Sequence, residues 1–180
     1  LAAGLPVEST PNLPTPRQAV ITLQSGPVAD ADYVIAHHRD ADHVVWDARS
    51  PEEYAGTRVL AQRGGHIPGA RNYEWTRAMD RANSLRVRPL DDVRAELAAL
   101  GITGDKTVIT HCQTHHRSGF TYLIGKLLGF AHLKGYAGSW SEWGNRPDPP
   151  VENGSSLPFF SPLARGAPRI CRDTIMTPET

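Results

Sequence analysis

Residues 107–129 read TVITHCQTHHRSGFTYLIGKLLG, and the fold turns on this stretch. Thr107 to Thr110 is a β-branched run of the length a buried strand needs. Further on, Phe120, Leu123, Ile124, Leu127 and Leu128 recur at i, i+3, i+4, i+7 and i+8. That spacing lines one face of a helix, and Gly129 is its stop signal. Between strand and helix stands only Cys112-Gln113-Thr114-His115-His116-Arg117. A strand, a short loop and a helix in this order form a unit of an α/β sheet.

The same alternation continues outward. Ala19–Leu23 (AVITL) is a candidate strand, Ala29–His38 a helix with Asp30 near its cap, and Val44–Asp47 (VVWD) a second strand. Ser50-Pro51-Glu52-Glu53 carries a helix start: Ser50 caps, Pro51 suits the first position, and Glu53 completes a capping box. Leu90, Val93, Leu97 and Leu100 share a helical face that Gly101 ends. Leu133–Tyr136 is a further strand and Ser139–Trp143 a short helical turn. Strands alternating with helices of this length imply a parallel sheet covered on both faces. Ligands bind such sheets beyond the carboxyl ends of the strands.

The flanks read differently. Residues 1–18, rich in Pro, Thr and Ala, form a linker; residues 19–152 form the domain; residues 153–180 form an irregular arm with Cys171 as a spare thiol. LAAGLPVE at 1–8 faintly repeats WGNRPDPPVE at 143–152, as the tail of a preceding homologous domain would. Lys plus Arg and Asp plus Glu both number 19. This balance argues against a nucleic-acid binder, which neutralises phosphate with a basic excess. No apolar run is long enough to span a membrane as a helix. The chain starts at Leu1, so a targeting signal would not be visible in it; the cytoplasm is the expected location.

Chemistry concentrates at Cys112. Thr110, His111, Gln113, Thr114, His115, His116 and Arg117 surround it with polar groups, a poor setting for a cysteine that merely packs. Backbone N–H groups of the short loop, the helix start and Arg117 all favour negative charge on the sulfur or on an anion formed there. Adjacent histidines on so short a loop rarely both reach one tetrahedral zinc, and no further ligand pattern accompanies them. No metal or organic cofactor is therefore expected.

HCQTHHRSGFTYLIGKLLGF at 111–130, followed by GYAGSWSEWGNRPDPPVE at 135–152, resembles the catalytic half of tandem-domain rhodaneses. WDARSPEEYAG at 46–56 and GGHIPGARNYEW at 64–75 resemble that family's other signatures. The resemblance covers roughly residues 19 to 152 and implies a five-stranded parallel α/β sheet with helices on both faces. It also implies a sulfurtransferase in which Cys112 carries a persulfide. The sulfur donor would be thiosulfate or 3-mercaptopyruvate, and the acceptor cyanide or a thiol. By the same resemblance, Asp47 pairs with Arg117 and holds the loop in shape. Gln113, Thr114, His115, His116, Arg117 and Arg49 are the candidate anion contacts.

The Cys-x4-Arg loop is one residue shorter than in the related thiol-based phosphatases and arsenate reductases, which accommodate a larger oxyanion. A persulfide carrier or binding module without turnover is the first alternative, and a thiol-based phosphatase or arsenate reductase the second. QTHHR departs from the loops familiar in thiosulfate and mercaptopyruvate specialists, which leaves the donor open. Elsewhere, His66 reads as a turn-stabilising histidine, Trp140 and Trp143 as core or pocket wall, and His37, His38 and His43 as surface residues.

Overall fold

Trp46 and Val44 of one strand point to one side of the molecule and Val45 to the other, and Val108 and Ile109 of the next strand divide in the same way. This two-residue period is that of strands buried on both faces. The computed structural model describes residues 4, 6–22 and 26–154. Its elements are β1 (Val28–Ala29), α1 (Ala31–His37), β2 (His43–Asp47), α2 (Pro51–Ala55), β3 (Arg71–Asn72) and a 3₁₀ turn (Trp75–Ala78). There follow β4 (Met79–Asp80), β5 (Arg86–Val87), α3 (Leu90–Ala99), β6 (Thr107–His111), α4 (His116–Leu127), β7 (Leu133–Tyr136) and α5 (Ser139–Trp143).

Five strands make one sheet in the order β1-β7-β6-β2-β3, with every pairing parallel. The expected α/β architecture is thus the one observed. α3 and α4 cover one face, burying Val93, Leu97, Ile124 and Leu128 against Val44, Trp46 and Val108. α1, α2 and α5 cover the other, where Val34, Tyr54, Trp140 and Trp143 pack on Val45 and Ile109. β2 and β6 lie at the centre, with Asp47 opposite His111. From β2 the chain winds outward to β3, then returns to the other side of β2 for β6 and β7. The carboxyl ends of β2 and β6 therefore flank the switch point at which open sheets bind ligands.

Local signals hold at the caps. Asp30 accepts the Tyr33 N–H at 2.8 Å, and the Ser50–Glu53 capping box is complete. Two expectations fail. The first strand is not Ala19–Leu23. Ala19–Thr22 is irregular and exposed, Leu23 lies outside the described residues, and the edge position belongs to Val28–Ala29, paired with β7. A β-branched run forms a strand only where a sheet edge meets it. The β4–β5 hairpin pairs Met79 with Val87 and had no clear sequence signal.

The second correction concerns α4. Its buried residues are Ser118, Thr121, Ile124 and Gly125, whereas Leu123 and Leu127 are each 51% exposed. Small residues let this helix lie close to the sheet. A Cβ added at Gly125 would come within 2.9 Å of the Leu133 side chain, so the helix rests on its small face rather than on its leucines. In urea unfolding, Ile124→Ala is therefore expected to cost about 2–5 kcal/mol, and Leu123→Ala less than about 1 kcal/mol. Equal losses would place the leucine face against the core instead.

Candidate functional site

Cys112 follows directly on β6 and is 1% exposed. Its N–H donates to Ser139 Oγ at 3.3 Å, and the Ser139 hydroxyl donates to the Tyr136 carbonyl at 2.9 Å. The Trp140 and Ser141 N–H groups donate to the carbonyls of Cys112 and Gln113, each at 2.9 Å. The first turn of α5 thus grips the two residues that open the loop. Ser139 holds a left-handed φ of 51° to do so. Gln113 reaches the other way, its Nε2 donating to the Leu60 carbonyl at 3.1 Å.

The loop closes on His115, whose φ of 65° is also left-handed. A side chain in that conformation needs support. Its ring hydrogen-bonds Ser118 Oγ at 2.7 Å and lies over Gly135, where an added Cβ would come within 2.8 Å of it. Burial, with His116 beside it, holds the His115 pKa below the ordinary range. His115 is therefore half-buried and neutral near pH 7, while Thr114 and His116 are exposed at the rim. No side chain caps α4, and the first-turn N–H groups of any helix lack intrahelical partners. Those donors remain open to an anion beside the sulfur.

Arg117 does not pair with Asp47 as expected. Its two terminal nitrogens donate to the two oxygens of Glu53 at 2.7 and 2.8 Å. The hydrogen bond to Glu53 raises the Arg117 pKa, and the charge of Glu53 and the Cys112 sulfur act in the same direction. Burial alone would push Glu53 up, but Arg117 and the Ser50 N–H outweigh it and keep the carboxylate ionised. Glu53 therefore does two jobs, capping α2 and fixing Arg117 beside the loop. The capping box was legible in the sequence; the pairing across 64 positions was not.

Asp47 instead holds Arg49. The Arg49 Nε donates to Asp47 Oδ1 at 2.9 Å and its Nη2 to the Gly65 carbonyl at 2.8 Å. The guanidinium lies over the Trp140 ring at 4.3 Å. Arg49 is 1% exposed, so this placement commits it to the interior rather than to an anionic donor. The cause is local: two residues past Asp47, the side chain folds back on its own strand end. Trp140 and Trp143 are core residues.

Burial would raise Asp47, but Arg49 and His111 hold its carboxyl well below the usual range. His111 Nε2 lies 3.4 Å from Asp47 Oδ2, and burial pushes the His111 pKa down to about 4. His66 is a buried turn residue as expected, bonded through Nδ1 to the Tyr54 carbonyl at 2.9 Å and stacked on the Tyr54 ring. Cys171 lies outside the described residues. Among the described residues, no helix is long and apolar enough to cross a membrane. Also among them, His37, Asp40 and His43 are the one group of three or more metal-binding side chains held together; Cys112, His115 and His116 do not form one.

A cysteine at the switch point of a parallel sheet, followed by a short loop and an open helix start, is an arrangement that can hold negative charge on sulfur or on a bound anion. Residues 30–146 match the Rhodanese-like domain model, and the chain belongs to that family. It is 53% identical over 152 residues to "Thiosulfate sulfurtransferase" of Azotobacter vinelandii, covering 84% of this chain and 55% of the relative. It is 61% identical over 132 residues to the protein of that name from Pseudomonas aeruginosa, covering 73% of this chain and 48% of the relative. The chain thus spans about half the length of these curated relatives. A solved structure of EanB, with ergothioneine covalently linked to a persulfide cysteine, superposes with a TM-score of 0.75 at 24% identity. The match covers 86% of this chain and 39% of that one, and at that identity it speaks for the fold.

His38, expected at the surface, is buried against Trp143, and burial lowers its pKa as it does those of His66 and His111. The unfolded chain then binds more protons than the folded one as pH falls below about 6.5. Their contribution is fully present above that value and is lost towards about pH 4, where His111 titrates. Urea unfolding at pH 5 should therefore give a stability lower than at pH 7 by on the order of a few kcal/mol. A flat profile would mean that these rings do not stay neutral in the folded state.

Proposed function

We propose that this chain is the catalytic domain of a sulfurtransferase that moves sulfane sulfur through a persulfide on Cys112. The observation that carries the reading is the placement of Cys112 at the open start of α4, with Arg117 fixed beside it by Glu53. The identities of 53% and 61% to thiosulfate sulfurtransferases support it. The Cys112 thiolate attacks the outer sulfur of thiosulfate. The S–S bond of the donor breaks, its electron pair leaves with sulfite, and the new S–S bond makes the persulfide. Cyanide or a thiolate then attacks the outer persulfide sulfur, and the pair of that bond returns to Cys112. No electrons are left over, so the cycle needs no redox cofactor.

Through both halves the charge stays on sulfur at the loop. Loop amides from Gln113 to Arg117 and the α4 start stabilise it, and Arg117 adds its fixed cation. In this reading exposed Thr114 and His116 meet the sulfonate of the donor, while His115, bonded to Ser118, shapes the loop. 3-Mercaptopyruvate is the other donor to test. A reducing compartment keeps such a thiol free, which supports the cytoplasm.

Thiosulfate treatment followed by intact-mass measurement is expected to add one sulfur atom to the protein and none to Cys112→Ser. Thiocyanate formation with cyanide should be lost in the same variant. Mass gain without turnover would leave a persulfide carrier, and no mass gain would reject the sulfur reading altogether.

Arg117→Lys replaces a planar two-pronged contact by a point charge and should lower turnover about 10²-fold. Glu53→Gln should act through the same pair, so that the double variant loses little beyond Arg117→Lys alone. Additive losses in thiocyanate assays would show that the two residues work separately.

A further inference from the structure

Away from Cys112, three side chains converge at the opposite end of the sheet. His37 ends α1, Asp40 lies in the following turn, and His43 begins β2. One ligand atom from each lies within 4.8 Å of the others. His37 Nδ1 stands 2.7 Å and His43 Nδ1 4.0 Å from the same Asp40 oxygen, Oδ2. The two imidazoles are parallel within 11°, their centroids 4.7 Å apart. We propose that His37, Asp40 and His43 form a binding site for a divalent transition metal of the Zn²⁺ type.

The distances fit such an ion. Ligands 2.0–2.1 Å from a tetrahedral zinc stand roughly 3.3 Å from one another, and the two Asp40 separations straddle that value. Closing the site also requires at least one ring to turn out of the stacked arrangement, because a metal lies in the plane of each imidazole that ligates it. Two nitrogens and one carboxylate oxygen select borderline ions over Ca²⁺ and Mg²⁺, which prefer oxygen alone.

A second observation concerns the proton on His43. Its Nε2 lies 2.9 Å from the Tyr33 hydroxyl. A metal on Nδ1 requires the proton on Nε2, and Tyr33 is placed to accept it, as second-shell partners of metal-bound histidines do. The His43 side chain is 9% exposed, whereas those of His37 and Asp40 are 36% and 46% exposed. One ligand is thus rigidly seated and the other two face an entry path. The fourth position is left to water or to Asp42, whose Oδ1 lies 2.8 Å from His43 Nδ1.

The site is separate from the proposed chemistry. His43 and Asp47 are at opposite ends of β2, about 13 Å apart at the rise of a parallel strand, and Cys112 lies beyond the Asp47 end. A metal here ties the end of α1 to the start of the central strand, so its effect is on stability.

The test uses the full chain with both thiols removed, Cys112→Ser and Cys171→Ser, after treatment with a chelator. Calorimetric titration with Zn²⁺ is expected to show one ion per chain, a raised Tm, and with Co²⁺ the visible bands of a tetrahedral site. His37→Ala, at a half-buried helix end, and Asp40→Asn, at an exposed position, should abolish all three signals while circular dichroism stays unchanged. Tyr33→Phe should weaken binding about tenfold. Zinc binding that survives both His37→Ala and Asp40→Asn, or no binding by the parent protein, would overturn the proposal.

Discussion

The Glu53–Arg117 contact joins the two halves of the site. Glu53 is bound at once by the start of α2, through the Ser50 N–H at 3.1 Å, and by Arg117 at the start of α4. These helices lie on opposite faces of the sheet, so one carboxylate ties both layers across the strand ends. It can do so because Glu53 is 2% exposed and ionised, its oxygens accepting from the Ser50 N–H and from both terminal nitrogens of Arg117. Glu53 is buried while Arg117 is partly exposed, so loss of Arg117 leaves a buried carboxylate without its main partner. The loop that begins with Cys112 hangs from this contact at one end and from α5 at the other.

Beneath the loop, a second charge pair sets the floor. Asp47 is fully buried, and Arg49, folded back over Trp140, neutralises it. His111 sits against the same carboxylate and stays neutral. It immediately precedes Cys112, so the backbone that delivers the sulfur is held by a desolvated polar cluster rather than by apolar packing alone. The loop's shape therefore rests on two separate ion pairs, one below the cysteine and one beside Arg117. The resemblance joined Asp47 directly to Arg117. The structure divides that role, giving each arginine a carboxylate of its own.

The small residues of α4 and β7 explain how so short a loop closes. Gly125 lets the helix approach Leu133, and Gly135 makes room for the His115 ring. Both contacts pull α4 down onto the sheet, which brings its first turn to the level of Cys112 and turns Leu123 and Leu127 outward. A helix placed by its leucine stripe would have set that first turn at a different rotation about its axis. The position of the first-turn amides of α4 is thus coupled to glycines on two neighbouring elements.

The sequence by itself determined what depends on neighbours along the chain. The alternation of β-branched runs and helical periods, the Asp30 cap, the Ser50–Glu53 box and the Cys-x4-Arg spacing are all local, and they sufficed for the fold class and the cysteine. What only the tertiary structure decided depends on partners far apart in sequence. Val28–Ala29 became the edge strand because β7 was there to pair with it, whereas Ala19–Thr22 found no partner. Glu53 met Arg117, Ser139 met Cys112, and His115 met Gly135 because a parallel sheet gathers its strand ends at one edge. Which arginine takes which carboxylate there is an electrostatic choice among groups that the chain order does not bring together. Only the packed geometry settles it.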